Sequence, residues 1–112
     1  MLRETVINLQ SIFVSPSEVE AYRHMIPLQV SIQYKINDGN YIAFLEAVDD
    51  KKIRGLLITE GKSEEELNRN LNQLIYMNAK VPEKVRPYYG NMFNFRINEN
   101  AAKSGELVLA RA

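Results

Sequence analysis

Residues 28–48 read LQVSIQYKINDGNYIAFLEAV, and the periods inside this stretch decide the fold. Leu28, Val30, Ile32, Tyr34 and Ile36 share one parity, while Gln29, Ser31, Gln33 and Lys35 take the other. Successive side chains of a strand point to opposite faces, so this alternation predicts a strand with one face buried and one in water. Asn37-Asp38-Gly39-Asn40 follows, and Asp-Gly tolerates the positive φ angles that a tight hairpin turn demands. The chain is therefore predicted to return antiparallel through residues 41–48, a segment that is apolar on both faces.

Downstream, Asp49-Asp50-Lys51-Lys52 makes a polar break, and residues 53–60 (IRGLLITE, with Gly55 inside) complete a three-stranded antiparallel meander. Gly61 closes that strand. Ser63 and Glu66 have the spacing of a capping box, which announces a helix. Along the helix Leu67, Leu71, Leu74 and Ile75 form an apolar stripe to lie across the sheet, with Glu64, Glu65, Asn68, Arg69 and Asn72 on the opposite face. Pro82 and Pro87 bracket a loop, residues 91–97 (NMFNFRI) read as a fourth core strand, and residues 106–110 (ELVLA) as a short edge strand.

Upstream, residues 5–14 (TVINLQSIFV) are apolar and rich in β-formers, which predicts one more strand. Ser15-Pro16-Ser17-Glu18 supplies a cap, a proline at the first helical position and a glutamate three residues after the cap; a short helix should run to about Met25, before Pro27. The expected architecture is α+β: an antiparallel three-stranded meander, a helix and a fourth strand (βββαβ). Residues 1–112 form one domain, on which a strand-helix extension, residues 1–27, packs.

Composition narrows the function. Fourteen basic residues balance fourteen acidic ones, which removes the long-range positive field of a non-specific nucleic-acid or membrane binder. Cysteine is absent, so a disulfide framework, a thiolate nucleophile and Cys-based metal sites are excluded. The first residues, Met1-Leu2-Arg3-Glu4-Thr5, open no secretory h-region and no stretch has the length of a membrane span, so the expected place is the cytoplasm, away from membranes.

Motifs for catalysis are missing. The single histidine, His24, lacks HxxxH or HxH spacing and reads as a helix surface residue. Asp38, Glu46, Asp49, Asp50 and Glu60 mark strand ends, and a two-metal nuclease would need such carboxylates to converge. Turn formation accounts for Asp38, Asp49 and Asp50, and the helix N-terminus for residues 64–66. No phosphate-binding glycine loop or GxSxG is present. The expectation is a protein that is not an enzyme and takes no metal or cofactor. Residues 80–96 interleave Lys80, Lys84, Arg86 and Arg96 with Tyr88, Tyr89, Phe93 and Phe95, the mixture that holds phosphates and stacks bases, so a direct RNA- or DNA-binding domain is the alternative.

Residues 32–75 resemble the N-terminal domain of HicB-type antitoxins, whose pattern is a strand, a DG turn, a Y-x-A strand, a G-x-[TS] turn and a helix led by EE. The matching positions are Asp38-Gly39-Asn40-Tyr41-Ile42-Ala43, Thr59-Glu60-Gly61-Lys62-Ser63, Glu65-Glu66-Leu67, Asn70, Leu74 and Ile75. Where the family carries Pro-Asp-x-Pro-Gly, this chain has Asp49-Asp50-Lys51-Lys52-Ile53-Arg54-Gly55. The resemblance implies a partial RNase H-like sheet covered by a helix, and a non-catalytic protein that inhibits a small RNase toxin of the HicA type or a related nucleic-acid-processing protein by occluding it. No helix-turn-helix or ribbon-helix-helix pattern is legible after Asn91. Partner contacts are expected at two exposed polar segments, Asp49, Asp50, Lys51 and Lys52 in one and Lys84, Arg86, Tyr88 and Tyr89 in the other. An open sheet edge makes a homodimer the expected state.

Overall fold

The computed structural model describes residues 14–47, 57–96 and 102–111. The predicted N-terminal strand, apart from Val14, lies outside the described residues, as do the turn at residues 49–52 and the first part of the predicted third strand.

The described chain is α+β, as expected. In order it forms α1 (Pro16–Arg23), β1 (Gln29–Asn37), β2 (Asn40–Ala47), β3 (Leu57–Gly61), α2 (Glu64–Asn78), a 3-10 turn (Arg86–Tyr88) and β4 (Ser104–Ala110). All strand pairs are antiparallel, in the order β3-β2-β1-β4. The hairpin forms where the turn chemistry directs it: Asn37 pairs with Asn40, and Asp38 and Gly39 between them have φ of 49° and 77°. Both helices carry the caps read from sequence, with Ser15 Oγ accepting from Glu18 N at 3.2 Å and Ser63 Oγ accepting from Glu66 N at 3.0 Å.

One face of the sheet is the core. Val30, Ile32 and Tyr34 of β1 and Ala43 and Leu45 of β2 are buried there, against Leu67, Leu71 and Ile75 of α2. Val14 and Ile26, which flank α1, belong to the same buried cluster, and Val19 and Tyr22 pack on it. Between β3 and α2 the chain turns so tightly that a Cβ on Gly61 would stand 2.5 Å from Leu67 N, so this position admits only glycine without moving the helix.

The fourth strand is not where residues 91–97 suggested. Its place beside β1 is taken by β4, which contains the segment read as a short edge strand and begins two residues earlier. Residues 91–96 join no ladder. Their burial alternates as in a strand, with Phe93 and Phe95 fully buried and Asn94 and Arg96 exposed, but their backbone is bonded to side chains of α2. Asn72 Oδ1 accepts from Phe93 N at 2.9 Å and Asn72 Nδ2 donates to Phe93 O at 2.7 Å. Asn68 does the same for Phe95, Nδ2 donating to Phe95 O at 2.6 Å and Oδ1 accepting from Phe95 N at 2.5 Å. Tyr76, four residues beyond Asn72 along the helix, accepts from Met92 N at 3.1 Å and donates to Gly90 O at 2.6 Å.

These contacts also correct the predicted polar face of the helix. Asn68 and Asn72 are buried rather than solvated, because the segment they hold covers them. Held so, Phe95 reaches the sheet and meets the Tyr34 ring edge-on, with centroids 5.3 Å apart and an angle of 74°. The layer over the core therefore has two parts: α2, which contacts β2 and β3, and the segment carrying Phe95, which reaches β1.

Candidate interaction surface

With one sheet face spent on the core, the opposite parity of every strand defines the outer face. From β1 it takes Gln29, Ser31, Gln33 and Lys35, and from β2 Ile42, Phe44 and Glu46. β3 contributes Ile58 and Glu60, and β4 Ser104, Glu106, Val108 and Ala110. The register sets these side chains in rows. Glu106, Gln33, Phe44 and Ile58 run across all four strands, flanked on one side by Ser104, Lys35, Ile42 and Glu60 and on the other by Val108, Ser31 and Glu46.

No described helix covers this face. Ile58 is 56% exposed and Val108 60%, values far from those of a core residue, while Ile42 and Phe44 are half-buried between them. Around this apolar centre stand Glu46, Glu60 and Glu106, with Lys35 as the one cation among the described residues, so the described part of the face carries more negative than positive charge although the chain as a whole is neutral. The one cross-strand side-chain bond among these residues runs from Gln33 Nε2 to Glu106 Oε1, at 3.2 Å. The sequence held a signal for this surface in β2, which is apolar on both faces while only one face faces the helix; the polar loops drew attention instead.

The predicted contact residues are distributed differently. Asp49, Asp50, Lys51 and Lys52 lie outside the described residues. Lys84 is exposed, 3.7 Å from Glu18 of α1. Arg86 is turned onto its own domain, donating from Nε to Val81 O at 3.0 Å and from Nη1 to Gln73 Oε1 at 3.3 Å. It lines a shallow depression with Gln73, Glu83, Pro87, Gly90 and Asn91. Tyr88 is 53% exposed, whereas Tyr89 is half-buried, its hydroxyl donating to Val19 O and its ring 5.8 Å from that of Tyr76. Of the basic-aromatic segment, Phe93 and Phe95 have no exposed surface on which a base could stack.

Burial pushes the Tyr76 phenol above its usual range, partly offset by the Met92 N–H that it accepts, with Tyr89 raising it further. Burial likewise raises Tyr89, against a lowering by Arg23 and a further raising by Glu20. Both hydroxyls are thereby kept protonated, as their donated hydrogen bonds require.

Of the acidic residues considered for metal binding, Asp49 and Asp50 lie outside the described residues, and the others are spread apart. Asp38 stands at the tip of the β1–β2 hairpin, while Glu46 is opposite Ser31 toward its other end. Among the described residues no group of three or more His, Cys, Asp or Glu side chains is arranged to hold a metal ion, and no helix is long and apolar enough to cross a membrane. His24 lies within 3.4 Å of Glu20 on the surface of α1.

No protein-family model, curated protein or solved structure matches this chain.

Proposed function

We propose that this protein is a non-catalytic, antitoxin-like binding protein of the cytoplasm, which inhibits a small RNase toxin of the HicA type or a related nucleic-acid-processing protein by occluding it. The observation that carries the reading is the outer sheet face, whose apolar centre of Ile42, Phe44 and Ile58 is rimmed by Glu46, Glu60 and Glu106. An exposed apolar patch with a charged rim is the usual form of a protein-binding surface. The sign of the rim selects the partner. Proteins that handle RNA present basic surfaces to phosphates, and such a surface complements three carboxylates, whereas a nucleic acid would be repelled by them. The order of DG turn, Y-x-A strand, G-x-S turn and EE-led helix supports the same class.

The test is a pull-down from the native host with wild-type protein and with Ile58→Lys, each lysate split into nuclease-treated and untreated halves. A small basic protein held by the wild type in both halves and lost by Ile58→Lys is expected. Purified alone, it should cleave RNA, be inhibited by a stoichiometric amount of wild type, and escape inhibition by Glu46→Lys/Glu60→Lys. Because the charges concerned are exposed, the complex should weaken as salt rises. A retained protein whose RNA cleavage is unaffected would end this reading, and nucleic acid retained without any protein would replace it with direct RNA or DNA binding.

A further inference from the structure

We propose that two copies of this chain associate through the free edge of β4, their strands running antiparallel about a two-fold axis at Val108, so that two four-stranded sheets become one. The bonds at the two ends of the β1–β4 ladder carry the argument. Arg111 N donates to Leu28 O at 2.8 Å and Ile36 N donates to Lys103 O at 2.6 Å. In an antiparallel pair the residues facing the partner strand alternate along the chain. The odd-numbered residues of β4 therefore spend their backbone groups on β1, and Ser104, Glu106, Val108 and Ala110 aim their N–H and C=O groups outward. No described residue takes them up, since β4 is the outermost described strand on that side of the sheet.

An exposed edge is ordinarily blunted by a proline, a lysine, a bulge or a covering element. The other edge has such a device: β3 leads directly into α2, and its Glu60 carbonyl is bonded by Asn70 Nδ2 at 2.8 Å. The seven residues of β4, SGELVLA, contain neither proline nor lysine and hold one charge, Glu106. Leu107 and Leu109, although they point to the core side, remain half-exposed at the rim.

The occupant is a second copy because the edge complements itself in the register centred on Val108. With the axis at Val108, the outward-facing residues pair with one another: Val108 with the partner's Val108, and Glu106 with the partner's Ala110. On the core side Leu107 lies opposite the partner's Leu109 and covers it. An axis at Leu107 would set Lys103 against the partner's Arg111 twice, and one at Glu106 would oppose two carboxylates. Like charges directly opposite are destabilising, so both alternatives lose. The axis leaves Phe44, Ile58, Glu46 and Glu60 uncovered, and the association stands or falls independently of the target proposed above.

The experiment is sedimentation velocity on the full chain over a concentration series, followed by substitution at the axis. The wild type should reach twice the 12.9 kDa chain mass. Val108→Pro removes an outward N–H without touching the ladder to β1, and should sediment at the single-chain mass with an unchanged circular dichroism spectrum. Val108→Lys, at a side chain already exposed, sets two cations together at the axis and should also halve the mass; it carries the test if Val108→Pro does not fold. Since the chain has no cysteine, Val108→Cys treated with a short bis-maleimide should yield a covalent dimer, and Ile58→Cys at the opposite edge should not. A wild type of single-chain mass at every concentration, a dimer indifferent to Val108→Lys, or equal coupling at both positions would overturn the proposal.

Discussion

At the scale of single residues, the unexpected part of this fold is a pair of asparagines that imitate a strand. Each presents to one buried residue of the segment 92–96 both an acceptor for its N–H and a donor for its C=O, as a neighbouring peptide group would. Asn72 also donates to Asn68 O at 2.8 Å, which ties the two together along the helix. A buried backbone group left without a partner costs far more than a hydrogen bond contributes, because its hydration is lost and nothing replaces it. Asn72→Ala would strand the N–H and C=O of Phe93 in the core, and should lower stability by about 2–4 kcal/mol, on the scale of two unsatisfied buried groups. Asn70→Ala removes only an exposed bond to Glu60 O and should cost less than about 1 kcal/mol. Urea unfolding of the two variants measures the difference, and equal losses would mean that the amide ladder does not hold the segment.

At the scale of elements, what could be read from the sequence was what local chemistry determines. The β1–β2 hairpin, both serine caps and the stripe of Leu67, Leu71 and Ile75 follow from turn preference, end-group satisfaction and helical period, all expressed within a few residues. Phe93 and Phe95 were legible as buried, since period two marks any extended chain with one face inward. What the period cannot show is which partner bonds the backbone, and Asn68, Asn72 and Tyr76, spaced by four beside the apolar stripe, were the only hint that a helix would. For the same reason the outer face was missed while its cause, the two-sided apolar pattern of β2, stood in plain view. The junction of β3 with α2 shows how closely elements are fitted. A Cβ at position 61 would meet only backbone, at 2.5 Å from Leu67 N and 2.9 Å from Glu66 C and Leu67 Cα, so Gly61→Ala must displace the first turn of α2. We expect it to cost about 1–3 kcal/mol, the range for overpacked sites, and to loosen Ser63 from its cap. Thermal unfolding, with amide exchange of Glu66 as the local readout, checks both; an unchanged midpoint would show that the turn has room to spare.

At the scale of the whole molecule, two tyrosines join parts of the chain that share no ladder. Tyr89 fastens the segment after the 3-10 turn to α1 through Val19 O, and Tyr76 fastens the same segment to α2 through Gly90 O and Met92 N. Both phenols are raised above 10.0, chiefly by burial, so folding couples to alkaline titration. In the unfolded chain a tyrosine loses its proton around pH 10, whereas in the folded chain Tyr76 keeps it to higher pH. Between those two points the folded state binds more protons than the unfolded one, and stability must fall as pH rises. The contribution is complete below the unfolded value and is lost on passing upward through the folded one. Tyr76→Phe should cost about 1–2 kcal/mol at neutral pH, because Met92 N–H and Gly90 C=O lose their partner. It also removes this titration, whereas every other ionisable group is common to both proteins. Unfolding free energies measured against pH at one fixed protein concentration should therefore run parallel up to about pH 9 and converge above it, as the wild type alone loses what Tyr76 contributes. A gap that stays constant through the alkaline range would mean that the Tyr76 hydroxyl ionises as easily in the folded protein as in the unfolded chain, and that burial around it does not link the helices to pH.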